Sequence, residues 1–128
     1  MRLPLALLLL VGCGPTQVVV TMNAENNSGQ SGLATLTDKG DKTRVEVSLD
    51  VSTDPGPQPV HIHEGRCGEI GGKVLGGTGM AQLTLNEGNL VSDSEIAVPL
   101  SKLLGGTHAI NAHFSADLDL YVSCGNIP

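Results

Sequence analysis

The stretch Pro59-Val60-His61-Ile62-His63-Glu64-Gly65-Arg66-Cys67 decides how the chain folds and where its chemistry lies. A strand has a side-chain period of two, so His61 and His63 fall on one face and Val60 and Ile62 on the other. Two imidazoles held side by side on a rigid surface make half of a metal site. Downstream, Ala109-Ile110-Asn111-Ala112-His113 repeats the pattern and puts a third histidine on an alternating strand. A cysteine follows each piece, Cys67 after the first and Cys124 after the second.

Outward from these segments the chain reads as short strands separated by Gly, Pro, Asn and Asp. Strands are expected at 17–22, 32–37, 43–51, around His61, at 80–85, 95–100, 108–113 and 120–124. The clearest is 43–51, with Val45, Val47, Leu49 and Val51 inward and Arg44, Glu46, Ser48 and Asp50 outward. Asp38-Lys39-Gly40-Asp41 reads as a hairpin turn. Residues 65–79 are dense in glycine and are expected to form neither helix nor good strand. A single helical turn fits 99–104, stopped by Gly105-Gly106. The fold class is therefore all-β, an eight-stranded antiparallel sandwich or Greek-key barrel. With one Phe, one Tyr and no Trp, its core must be aliphatic, and a disulfide or metal would reinforce it.

The N-terminus has a separate purpose. Residues 3–11 form an apolar run after Arg2, of signal-peptide length and too short to span a bilayer. Leu10-Val11-Gly12-Cys13 resembles a bacterial lipobox, which implies cleavage of a 1–12 signal peptide and lipidation of Cys13. Residues 13–16 would then be a tether, 17–128 the domain, and the protein an exported lipoprotein anchored in the cell envelope. Several acyl chains on one residue anchor stably where a single chain does not. Assigning Cys13 to lipid leaves Cys67 and Cys124, which can pair in an oxidising compartment. The net charge of −6 and the lack of any basic cluster argue against nucleic acid and anionic lipid surfaces as partners. No protein partner can be read from the sequence.

Three histidines suit copper or zinc, since neutral imidazole binds both. A three-His zinc with water at a fourth position would be a hydrolytic arrangement. Asn111 shares the parity of His113 and is the better candidate to hydrogen-bond a ligand imidazole; Glu64 would need the chain to bend at Gly65. His108 has the opposite parity to His113 and is expected at a strand end in a structural or exposed role. Met80 offers a thioether, but Met80-Ala81-Gln82-Leu83 suits packing. No nucleophile-base set is recognisable, so no catalytic residue is assigned. Gly71-Gly72 and Gly76-Gly77 lack the Lys-Ser/Thr and following helix of a phosphate loop.

Taken in order, His61-Ile62-His63-Glu64-Gly65, Cys67, Ile110-Asn111-Ala112-His113 and Tyr121-Val122-Ser123-Cys124-Gly125-Asn126-Ile127 resemble the copper,zinc superoxide dismutase fold. Within it they resemble the chordin-type (CHRD) domains found in bacterial lipoproteins. The resemblance covers 18–127. It implies copper ligation by His61, His63 and His113 and a Cys67–Cys124 bridge. Two departures matter. Residues 68–79 hold no histidine, so the dismutases' zinc subsite is missing, and Tyr121 stands where they carry a guiding arginine; Arg66 is the nearest basic alternative. The expected function is an envelope-anchored copper-binding protein. The competing readings are a copper-only superoxide dismutase and a CHRD interaction module that uses no metal.

Overall fold

The computed structural model describes residues 14–76, 80–115 and 117–128. The expected 1–12 signal peptide and the expected lipidation site Cys13 lie outside the described residues. Among the described residues are nine strands and one short helix: β1 Gln17–Ala24, β2 Gly32–Asp38, β3 Thr43–Asp50, β4 Val60–Arg66, β5 Glu69–Leu75, β6 Thr84–Asn86, β7 Asn89–Ile96, α1 Leu100–Leu103, β8 His108–Phe114 and β9 Asp117–Asn126. Every pairing is antiparallel, in the order β5-β4-β8-β9-β1-β2-β3-β7-β6.

β1 joins two halves of this sheet. Residues 17–22 pair with β2, while Asn23 and Ala24 pair with Cys124 and Ser123 of β9. The halves face each other across one core. Val20, Leu36, Val45, Val47 and Leu90 come from one side, and Val60, Ile62, Ile110, Ala112 and Val122 from the other. The result is an all-β sandwich, as its aliphatic alternation predicts. β3 supplies the inward row Val45, Val47 and Leu49, and Thr43 is buried at its start. The expected hairpin turn joins β2 to β3, with the Gly40 amide donating to Asp38 Oδ1. The helical turn also forms, as α1, and buries Leu100 and Leu103.

Three expectations about strands are corrected. The glycine-rich segment does hold a strand: β5 pairs with β4 along Ile62↔Leu75, His63↔Val74, Gly65↔Ile70 and Arg66↔Glu69. Glycine weakens a strand, yet here it permits close approach. A Cβ at Gly71 would lie 3.1 Å from the Glu64 carbonyl oxygen, and Gly65 has a φ of +101°. β5 also makes the strand count nine. Met80–Leu83 is not a regular strand; Leu83 forms one isolated bridge with Gln58, and pairing starts at β6. The strand expected at 95–100 lies at Asn89–Ile96 instead. Its buried positions are Leu90, Ser92 and Ile96, so a serine interrupts the apolar alternation. Glu87 and Gly88, both at positive φ, form the two-residue turn that precedes it.

Candidate metal centre

β4 and β8 are neighbours, in register as Val60↔Ala112, His61↔Asn111, Ile62↔Ile110 and His63↔Ala109. Val60, Ile62, Ile110 and Ala112 enter the core, which turns His61 and His63 to the opposite face. The β8–β9 register shifts on both sides of His113, and the His113 amide donates to the Pro59 carbonyl. The three histidines meet there, with ring centroids 5.0, 5.7 and 5.9 Å apart. One nitrogen from each lies within 4.8 Å of the others, close enough to bind a metal ion.

Two of the rings are held by backbone carbonyls. His63 Nδ1 lies 3.0 Å from the Gly71 carbonyl oxygen, and His113 Nδ1 lies 2.7 Å from that of Leu118. A carbonyl only accepts, so both Nδ1 atoms carry the hydrogen and both Nε2 atoms present lone pairs. His61 turns its Nδ1 inward, 3.1 Å from His113 Nε2. At a metal–nitrogen distance near 2.05 Å, two ligands stand about 2.9 Å apart at a right angle and about 3.3 Å apart at the tetrahedral angle. The observed spacing falls between the two. His63 Nε2 is buried and has no hydrogen-bond partner among the described residues. A buried nitrogen lone pair without a donor is costly, and a cation would satisfy it.

The surroundings of His61 and His63 disfavour the protonated form, and the neutral imidazole is the form that ligates. His61 is pushed below the ordinary imidazole value, first by burial and then by repulsion from His113 and His63. Burial also lowers His63; the Gly71 carbonyl opposes the shift, and His113 adds to it. His63 and His113 are almost fully covered, while His61 is half-exposed and forms the open side. The Tyr121 ring meets His113 edge-on with centroids 5.2 Å apart.

The remaining sequence candidates fall elsewhere. Cys67 and Cys124 form a disulfide. Asn111 is fully buried beside His61 and Cys124, but neither of its amide atoms has a hydrogen-bond partner among the described residues, so it does not fix an imidazole. Two backbone carbonyls do that work, and β5 and the β8–β9 bulge deliver them. Met80 belongs to the core cluster. His108 is half-buried at the start of β8, with Nδ1 3.1 Å from Thr107 Oγ1, and pairs in register with Glu64. Arg66 donates to the Ile127 carbonyl.

Compared with known proteins, the chain matches no family model, and no curated sequence matches it.

Proposed function

We propose that this protein binds one copper ion at His61, His63 and His113 and serves as an envelope-anchored copper carrier or buffer. The observation that carries the reading is the donor set. Three imidazole nitrogens converge within 4.8 Å, and the Nε2 of His63 is buried with no hydrogen-bond partner among the described residues. Neutral imidazole suits copper and zinc alike, and at such a site copper(II) binds more tightly than zinc(II). The resemblance of the histidine and cysteine segments to copper,zinc superoxide dismutases and CHRD domains favours copper further. The lipobox-like Leu10-Val11-Gly12-Cys13 favours an exported, lipid-anchored chain. Carriage is preferred to superoxide turnover because Tyr121 replaces the guiding arginine and Arg66 is engaged by the Ile127 carbonyl.

The test is a titration of the purified protein with copper and zinc, beside the His61→Ala/His63→Ala double variant. One equivalent of copper, retained against excess zinc and lost in the double variant, is expected. Superoxide consumption by the loaded protein should not exceed that of free copper. Equal copper binding by both proteins would eliminate the site, displacement by zinc would reassign the metal, and fast superoxide consumption would make the protein a dismutase.

A further inference from the structure

A second cluster of metal-ligating groups lies across the same sheet half from the histidines. Ligand atoms of Glu25, Cys67 and Cys124 all fall within 4.8 Å of one another; the two sulfurs are bonded to each other in the disulfide, and the Glu25 carboxylate stands beside them. Glu25 follows β1, where its amide donates to the Val122 carbonyl, so β9 holds it beside Cys124. The Cys67 amide donates to Asn126 Oδ1, which ties the Cys67 backbone to β9 independently of the disulfide. Contacts outside the disulfide therefore hold the backbones of both cysteines in place.

An unexplained group adjoins this cluster. Asn111 and Cys124 are Cα partners in the antiparallel β8–β9 pair, so their side chains stand side by side on one face. Asn111 is fully buried, and among the described residues neither its Nδ2 nor its Oδ1 has a hydrogen-bond partner. Disulfide sulfur is a poor acceptor, whereas a thiolate is a strong one for an amide N–H. The orphaned amide is matched to the reduced state of its neighbour.

We propose that reduction of Cys67–Cys124 opens a second metal site, in which two thiolates and the Glu25 carboxylate hold a zinc-like divalent cation. A dithiol supplies two electrons and two protons, becomes a disulfide itself and leaves two thiols. Cation binding then releases both thiol protons and forms two metal–sulfur bonds. Two sulfurs, one carboxylate oxygen and a water complete the tetrahedral set that zinc prefers. The site exists only in the reduced protein, and an occupied site blocks reoxidation because both sulfurs are committed to the metal. None of this depends on what the histidines hold.

The experiment reduces the full chain with dithiothreitol, removes the reductant anaerobically and titrates cobalt(II) as a spectroscopic substitute for zinc. Thiolate-to-cobalt charge transfer gives a near-ultraviolet band that imidazole ligands do not. The band should saturate at one equivalent, disappear on adding zinc and be missing from the oxidised protein. Glu25→Gln should weaken cobalt binding about tenfold. The same band should persist in the His61→Ala/His63→Ala background, which separates this site from the histidine centre. No band on reduction would overturn the proposal. So would a band indifferent to Glu25→Gln, or one carried by a reduced chain whose amide spectrum has lost its dispersion.

Discussion

His63 has two unlike nitrogens, and the difference between them sets the chemistry of the centre. Its Nδ1 donates to Gly71, and its Nε2 is buried without a partner. Burial lowers the proton affinity of both His63 and His61. An imidazole with a depressed folded-state value binds fewer protons folded than unfolded, so stability rises with pH across the interval between the two values. Its contribution is complete above the ordinary imidazole value of about 6.5 and is lost as pH falls from there through the lowered folded value. Urea midpoints of the metal-free protein should accordingly fall between pH 7 and pH 5, and the His61→Ala/His63→Ala variant should show a much flatter profile. Identical profiles would mean that these rings do not control the acid response. Copper affinity should weaken once pH falls below the lowered folded-state values, because protons and metal compete for the same lone pairs.

At the scale of elements, β5 contributes a backbone atom. Its Gly71 carbonyl orients His63, and the β4–β5 hairpin depends on a bulge between His63 and Gly65. Gly65 sits at φ +101°, and a Cβ there would run into the Glu69 carbonyl oxygen. Gly65→Ala should therefore cost roughly 2 kcal/mol or more, combining left-handed strain with a backbone clash. It should also weaken metal binding by displacing β5. Gly72, with nothing within 4 Å of its would-be Cβ, is the control, and Gly72→Ala should change stability by less than about 0.5 kcal/mol. Equal thermal shifts in the two variants would defeat the argument. The same hairpin marks the limit of what the sequence reveals. His61 and His63 were legible because strand alternation is a local property, and the aliphatic row of β3 was legible for the same reason. β5 was not, because its glycines have low strand propensity and only the approach to β4 makes them pair. The Gly71 and Leu118 carbonyls could not be read at all, since a backbone oxygen has no residue-type signature. β7 was misplaced because Ser92 sits where the pattern calls for an apolar side chain.

At the scale of the molecule, two sheet halves share one aliphatic core, and the chain crosses between them repeatedly. The longest excursion leaves β4, builds β5, passes to the other half as β6 and β7, turns through α1 and returns as β8 and β9. Cys67 and Cys124 close that excursion, 57 residues apart in sequence. Cross-linking a loop of that length removes denatured-state entropy worth about 4 kcal/mol in the chain-entropy model. A domain of this size has a net stability of only about 5–15 kcal/mol, so the bond supplies a large part of it. The Cys67→Ala/Cys124→Ala variant should unfold at a markedly lower urea concentration. Extrapolated stability should drop by about 4 kcal/mol, with the slope changed only as far as the untethered denatured chain expands. A drop below about 1 kcal/mol would show that packing across the core, rather than the tether, holds β8 and β9 against β4. The metal centre makes the two cases separable. His61 and His63 lie on one side of the closed loop and His113 lies within it, so loosening the excursion separates the ligands. If the tether matters, copper affinity falls together with stability in this variant; if packing suffices, copper affinity is unchanged while the disulfide is gone.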